Sequence, residues 1–432
     1  MAVESRAAWR ARLALVVVFT LIVAACTSAQ PSQTSQVSGA PIVLGLDCAL
    51  SAPGDVPSGI HIVRGAELGL TYVNDVMGGV LGGRKLQIVE TDDSSLPANG
   101  INNYRRLVSQ DHAVVVFGFQ HSAVQEAVNA VANDLKVPVI GTYDSADAVT
   151  GSAFPYSYRT NLLNSQMVDG WIAWAKQQGY HKIAVLVENS DFGLSVTQDI
   201  AAANTSLGLN ASIDTEKFDT TATDFTPQLL KIKAFAPDVL FNVSLGQQID
   251  LTVDQAATLG LTPGIPTLLS VDQPTNGTWW KSHPNDGLLY FTMQYKPGQA
   301  LSTAGQWFYQ QFQQKYPGTY PTFPDFSGFG DVYLIAQAID KAGAADPASI
   351  QNVLNTDSFV GWTGTVTFPD AAGAAYHTWS APVLIAEYTE PNQTVLDAKI
   401  SLAYTPTVEA GAGASPAPTA AAPTAVGASQ AP

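Results

Sequence analysis

The sequence predicts an α/β fold of two lobes, each built on a parallel sheet. The predicted strands are nearly continuous in valine, isoleucine and leucine, as in IVLGL, AVVVFG and KIAVLV. Strands of this kind are covered by helices on both faces. Segments of helical periodicity alternate with the strands, which is typical of parallel βαβ units. The alternation runs in two blocks, before and after about Tyr158, so we expect a cleft between two similar lobes.

The first block contains four predicted strands, in PIVLGL, KLQIVE, AVVVFG and VPVIG. A helix is predicted over 62–76, because its apolar residues share one face and two glycines follow it. Two more helices are predicted over 99–110 and in SAVQEAVNAVAND.

The second block continues the pattern with helices over 167–179, 192–207, 225–235 and 247–259. The predicted strands between and after them lie in KIAVLVE, ASIDTEKF, PDVLFNV and IPTLLS.

The two ends of the chain differ from this body. Three arginines, an uncharged apolar run and then Val23-Ala24-Ala25-Cys26 predict a lipoprotein signal peptide over 1–25 with lipidation at Cys26. The alternative is an ordinary secretory signal cut near Ala25 or Ala29. Residues 26–40 are polar and predict a flexible tether. Residues 406–432 are rich in alanine and proline, and we expect them to be disordered.

Composition excludes some classes of partner. With 46% hydrophobic and 13% charged residues the chain is globular, and its net charge of −16 argues against binding nucleic acid.

Only two cysteines are present, so lipidation of Cys26 leaves Cys48 alone in an apolar strand, where we expect a buried and inert thiol. No cysteine pair or histidine cluster has metal-ligand spacing, so we predict neither a metal site nor a cofactor.

The order of several motifs resembles the type I periplasmic binding fold, in particular the branched-chain amino-acid (Leu/Ile/Val) binding family of ABC importers. The motifs are ALSAPGD, RGAELGLTYVNDVMGGVLGGRKLQIVETDD, LVSQDHAVVVFGFQHSAVQEAV, VPVIGTYDSADAV, YSYRTNLLNSQMVDGWIAW, KIAVLVENSDFGLSV, TDFTPQLLKIKAFAPDVLF and FVGWTGTVTF. The resemblance covers residues 41–388. It implies two Rossmann-like lobes joined by three hinge crossovers near 158–160, 294–296 and 357. Lobe 1 would comprise 41–158 and 296–356, and lobe 2 would comprise 159–295 and 357–405.

The resemblance also implies a ligand site in the first lobe, where hydroxyls and backbone amides at helix starts hold a carboxylate. The first turn offers Gln120, His121 and Ser122, and Ser122 has capping-box spacing to Gln125, so capping alone is an alternative role. The alternative for His121 is a histidine at the surface of the turn that does not contact the ligand. The second turn offers Tyr143, Asp144 and Ser145, in which Asp144 alternatively caps a helix.

The second lobe would contribute Phe192 over the ligand's side chain, Ser244 in a turn, and Asp272 as the partner of an amino group. Phe326 or Phe329 would close the pocket from the crossover region. The alternative role of Phe192, Phe326 and Phe329 is ordinary packing in the core. The alternative for Asp272 is a solvated acid in a loop.

Together these features predict an extracytoplasmic solute-binding receptor, lipid-anchored to the membrane, that delivers an amino acid or similar small carboxylate to the permease of an ABC importer. An aromatic acid or amide as ligand, or a sensing module for a membrane partner, are the alternatives. An enzyme is not predicted, because Asp92-Asp93 would point to opposite faces of a strand and no nucleotide or nucleophile motif is present. We expect a monomer.

Overall fold

The structure is a computed structural model that describes residues 39–371 and 373–406. The predicted signal peptide, Cys26 and nearly all of the tether and tail lie outside the described residues. A first sheet has five parallel strands in the order β2-β1-β3-β4-β5. These strands are β1 (Ile42–Cys48), β2 (Leu86–Asp92), β3 (Val116–Phe119), β4 (Val139–Gly141) and β5 (Ser157–Arg159). Cys48 is a buried free thiol, as expected.

A second sheet has seven strands in the order β14-β13-β10-β9-β8-β6-β7. Its parallel strands are β6 (Lys182–Glu188), β7 (Ser212–Phe218), β8 (Val239–Val243), β9 (Thr267–Leu269) and β10 (Tyr290–Met293). Two antiparallel strands, β13 (Val383–Glu387) and β14 (Lys399–Tyr404), extend it at one edge. A separate hairpin pairs β11 (Ser358–Val360) with β12 (Thr365–Thr367). The predicted α/β class with parallel sheets is confirmed.

The helices follow the predicted alternation. In the first block they are α1 (Val56–Thr71), α2 (Pro97–Ser109) and α3 (Ser122–Leu135), and in the second α4 (Asn164–Gln178), α5 (Asp191–Ser206), α6 (Thr226–Phe235), α7 (Gln247–Thr258) and α8 (Trp279–Ser282). Three further helices are α9 (Thr303–Lys315), α10 (Phe323–Ala342) and α11 (Pro347–Thr356). No helix in the described ranges is long and apolar enough to cross a membrane.

Helix α10 returns to the first sheet and packs on α1 through glycines. A Cβ added to Gly65 would lie 2.0 Å from the carbonyl oxygen of Asp325, and one added to Gly328 would lie 2.2 Å from that of Ile62. Only glycine permits this backbone approach. Through it, a segment distant in sequence joins the core of the first lobe.

The β11–β12 hairpin also packs on the first lobe, since Phe359, Val366 and Phe368 are buried in its core cluster. The next segment runs beside the end of β5, where Arg159 N–H donates to the His377 carbonyl at 3.0 Å. We therefore propose that the third crossing lies between Phe368 and β13 instead of at residue 357.

Candidate functional site

A cavity of about 490 Å³ lies between the two lobes, beyond the carboxyl ends of the parallel strands. Ligands of open α/β sheets bind at this position. The first-lobe wall consists of Asp55, Gln120, His121, Ser122, Tyr143 and Ser145. The second-lobe side consists of Asn161, Leu162, Met167, Phe192, Leu245, Ser270, Val271 and Gln294.

The start of α3 forms part of the first-lobe wall of the cavity. Helix α3 begins at Ser122, directly after β3 has ended at Phe119. The alternative of a Ser122–Gln125 capping box is wrong, because His121 is the N-cap residue and Gln125 donates to the Ser157 hydroxyl at 3.0 Å. The Ser122 hydroxyl instead accepts from the backbone N–H groups of Ser145 at 3.3 Å and Ala146 at 3.0 Å. Ser122 thus joins the two strand-to-helix turns that face the cavity.

Ser145 and Tyr143 bring the second turn to the cavity. Within the part of the chain that the structure describes, the Ser145 hydroxyl has no hydrogen-bond partner, so it is available to a ligand. The Tyr143 hydroxyl donates across the cleft to Asp272 Oδ1 at 3.3 Å. Burial raises the Tyr143 pKa, so this phenol is a neutral donor at physiological pH.

His121 and Gln120 each present an atom without a partner. His121 Nδ1 is buried and has no hydrogen-bond partner among the described residues. Burial lowers the pKa of its imidazole although Asp191 opposes the shift. The ring is therefore neutral near pH 7. Gln120 Nε2 donates to the Asp55 carbonyl at 2.6 Å, which fixes Oε1 as an unpaired acceptor.

The opposite wall is mainly apolar. Phe192, the second residue of α5, is 6% exposed and contacts the cavity together with Leu162, Met167, Leu245 and Val271. No lysine or arginine among the described residues lines this cavity. A carboxylate bound here would therefore be held by hydroxyls and by the helix start, whose partial positive charge favours anions.

Two carboxyl groups lie near the cavity, and Asp55 is the closer to it. Asp55 caps α1, lines the cavity and also lines an adjoining cavity of about 310 Å³. Asp272 lines only the adjoining cavity, where it accepts from Tyr143 and from the Phe323 N–H at 3.3 Å. Burial is the main cause that raises the Asp272 pKa to about 6. Asp55 was not predicted as a site residue, although it ends the ALSAPGD motif directly before a helix.

Four predicted site residues do not line either cavity, counting buried Phe329 as the alternative to Phe326. Asp144 is 1% exposed and lies 3.4 Å from Nε of buried Arg159, which also donates to the carbonyl groups of the second turn. Ser244 is fully buried and donates to Asn242 Oδ1 at 2.7 Å. Phe326 is fully buried, with ring centroids 4.3 Å from Tyr295 and 4.7 Å from Trp362. These side chains are buried behind the residues that line the cavities.

Several cavity residues were not predicted, and their positions in the chain carry the only signal. Asn161 and Leu162 directly follow the first predicted crossover, and Gln294 begins the second. Ser270 and Val271 directly follow β9. Residues after strand ends and in crossovers lie at the cleft, so position predicts them where residue type does not.

Comparison with solved structures shows where this fold occurs. A leucine-binding protein from Thermotoga maritima has 20% sequence identity and a TM-score of 0.72, covering 84% of this chain and 99% of that chain. A solute-binding protein of an ABC transporter from R. palustris, in complex with benzoate, has 21% identity and a TM-score of 0.73, covering 87% and 99%. A branched-chain amino acid binding protein from Streptococcus pneumoniae, in complex with isoleucine, has 20% identity and a TM-score of 0.71, covering 84% and 99%. At these identities the structures show the fold.

Sequence comparison gives curated relatives and a family. The Leu/Ile/Val-binding protein homolog 8 of Brucella abortus (strain 2308) is 26% identical over 214 residues, which are 48% of this chain and 52% of the relative. This chain thus spans about half the length of the curated relatives it matches. A family model described as periplasmic binding protein matches residues 41–390, nearly the whole described body. The family consists of extracytoplasmic binding receptors and not of enzymes. The chain belongs to the periplasmic binding protein family.

Proposed function

We propose that this protein is the solute-binding receptor of an ABC importer and that it binds an amino acid or a similar small carboxylate between its lobes. One observation carries the proposal: a single cavity joins a helix start with free polar groups on one side to an apolar wall on the other. Apolar walls with a few convergent polar groups are typical of small-molecule sites.

The carboxylate of the ligand would lie against the two turns that Ser122 joins. The start of α3 provides backbone N–H groups and the positive end of a helix dipole, and the Ser145 hydroxyl provides a further donor. Since no lysine or arginine of the described ranges lines the cavity, these neutral donors would supply the anion recognition.

The amino group would lie on the side of Asp55. Its carboxyl lines the cavity, and the neighbouring Gln120 Oε1 and Asn161 Oδ1 are buried acceptors without partners. The amide orientation of Asn161 is fixed, because Nδ2 donates to the Tyr143 carbonyl at 2.8 Å. An ammonium group would satisfy such acceptors and balance the carboxylate. Asp272 would act through its bond with Tyr143 instead of by direct contact.

The side chain of the ligand would pack on Phe192 and the aliphatic residues beside it. Burying one aliphatic side chain there would contribute about 1.5–3 kcal/mol.

An aromatic acid or amide is the second candidate ligand. The aromatic rings of Tyr143 and Phe192 both line the cavity, and His121 Nδ1 offers a hydrogen bond to a neutral group. The R. palustris relative was solved with benzoate. A sensing role would use the same cleft and differ only in the membrane partner.

Outside the described residues, we propose that Cys26 carries a lipid that anchors the body to the membrane, with a permease as its partner. Mass spectrometry of the protein from its native membrane tests this: a lipid-modified Cys26 as the first residue supports it, and an unmodified N-terminus after Ala25 or Ala29 contradicts it.

A thermal-shift screen over amino acids, aromatic acids, amides and short peptides tests the binding function. A ligand of the native state raises the melting temperature. Asp55→Asn then separates the two ligand classes, because asparagine preserves the helix cap but removes the charge. For an amino acid we expect at least tenfold weaker binding; an aromatic acid should bind as before. Asp219→Asn, an exposed acid outside the cavity, is the matched control.

A further inference from the structure

A cluster of four polar side chains lies in the second lobe, apart from the cleft. Asp250 and Asp254 stand one turn apart on α7, His283 directly follows α8, and Asp286 lies in the loop after it. None of them lines either cavity described above. The proposed solute-binding function does not use them.

The hydrogen bonds around Asp250 fix the tautomer of His283. His283 Nε2 lies 2.9 Å from Asp250 Oδ1, and the same oxygen accepts from Gln273 Nε2 at 3.0 Å. A carboxylate only accepts, so Nε2 carries a proton and only Nδ1 can bind a metal ion. When the imidazole is neutral, Nδ1 carries a lone pair.

That lone pair faces two carboxylates. His283 is fully buried, and its Nδ1 lies 3.0 Å from Asp254 Oδ1 and 3.6 Å from Asp286 Oδ1. The shorter contact lacks the geometry of a hydrogen bond, so Nδ1 is buried without a hydrogen-bond partner. With a neutral ring, three electron-rich atoms lie this close together, and a cation bound between them would offset their repulsion.

We infer that Asp254, His283 and Asp286 bind a divalent metal ion of the zinc type. Their three ligand atoms lie within 4.8 Å of one another. Ligands at about 2.0–2.1 Å from a tetrahedral zinc lie about 3.4 Å apart, so a small movement of the exposed Asp254 carboxylate completes the set. An imidazole ligand favours zinc and related transition metals over magnesium or calcium.

Asp250 and Gln273 would hold the metal-binding ring in place. Metal-bound histidines usually donate their second ring N–H to a carboxylate, which is the bond that Asp250 accepts here. The side chains of Asp254 and Asp286 are 55% and 14% exposed, which leaves a path for the ion and room for a water ligand. This inference departs from the sequence-based expectation of no metal site, because the ligands come from separate segments with no motif spacing.

Calorimetric titration of Zn²⁺ alone into the purified, chelator-treated protein, with any affinity tag removed, tests the site. We expect one equivalent to bind, and an excess of Mg²⁺ not to displace it. Asp254→Asn and Asp286→Asn should each weaken Zn²⁺ binding at least tenfold, and Asp250→Asn about 10–100-fold.

His283→Asn should abolish binding, with circular dichroism to confirm its fold. His181→Asn, which replaces an exposed histidine elsewhere, is the matched control and should bind Zn²⁺ as before. Asp254 is largely exposed, so its variant tests the site even if the His283 variant does not fold. The inference is overturned if Zn²⁺ shows no saturable binding, or if the Asp254 and Asp286 variants bind it with unchanged affinity. A protonated His283 would then lie between the two acids.

Discussion

Replacing Ser122 with alanine should lower stability as well as ligand affinity. The hydroxyl oxygen is buried and accepts from two backbone N–H groups, those of Ser145 and Ala146. Each buried N–H left without an acceptor costs about 1–3 kcal/mol. One of the two bonds is long at 3.3 Å, and the cavity that Ser122 lines would admit water to the vacated space. We therefore expect the free energy of unfolding to fall by about 2 kcal/mol in total.

Urea unfolding of the ligand-free protein measures this change, with an unchanged dependence on urea concentration as the sign that the unfolded state is unaltered. Ser145→Ala is the matched control: its hydroxyl faces the cavity without a partner, so its loss should leave stability within about 0.5 kcal/mol of the parent protein. Equal stability of the two variants would refute the structural role of the Ser122 hydroxyl, and would return Ser122 to a role in ligand contact alone.

Three further changes probe other parts of the structure. Arg159→Met removes a buried guanidinium beside Asp144 and should lower the free energy of unfolding by about 3–5 kcal/mol in urea, because an uncompensated buried acid remains; a loss below about 1 kcal/mol contradicts the pairing. Burial raises the pKa of Asp331 from its usual 3.8 to about 7, although two threonine hydroxyls donate to it. The Asp331 carboxyl therefore binds its proton more tightly in the folded protein than in the unfolded chain. Its contribution to stability is complete below about pH 4 and is lost as the pH rises to about 7. Asp331→Asn should reduce the loss of unfolding free energy between about pH 4 and pH 7. An unchanged pH dependence of the unfolding free energy would contradict the raised pKa of Asp331. Phe192→Ala should weaken binding of an apolar ligand about 10–100-fold by calorimetry, with the exposed Leu230→Ala as control; equal affinities place the ligand elsewhere.

The strands and the two turns of the first-lobe wall were predictable because they depend on local patterns. A run such as AVVVFG is apolar on both faces and is followed within a few residues by a helical pattern, so β3 and the start of α3 follow from neighbouring residues. Parallel pairing then brings the ends of β3 and β4 to one edge of the sheet, which places Ser122 near Ser145.

The partners of individual side chains were not predictable, because each depends on a segment distant in sequence. Asp144 has the sequence context of a cap, yet β5 places Arg159 beside it. Phe326 lies in an aromatic-rich motif that also suits a pocket, but Trp362 and Tyr295 enclose it. Asp55 was missed for the same reason, since the order of motifs does not reveal how far each loop reaches into the cleft.

Lobe membership near the third crossing also escaped the sequence. The β11–β12 hairpin has a two-residue alternation that suits either sheet, and its contacts with α10 and the first core support the proposed crossing after Phe368. Strands β13 and β14 pair antiparallel at the sheet edge, which the rhythm of alternating strands and helices does not indicate.

Isothermal titration calorimetry with the amino acid or carboxylate that gives the largest thermal shift tests the central claim most directly. We predict saturable binding of one ligand per chain, with a negative heat-capacity change from burial of apolar surface. Ser145→Ala should bind at least tenfold more weakly at unchanged stability. Binding that is equally tight in Ser145→Ala, Asp55→Asn and Phe192→Ala, or no saturable binding by any amino acid, aromatic acid or amide, would contradict a solute site between the lobes.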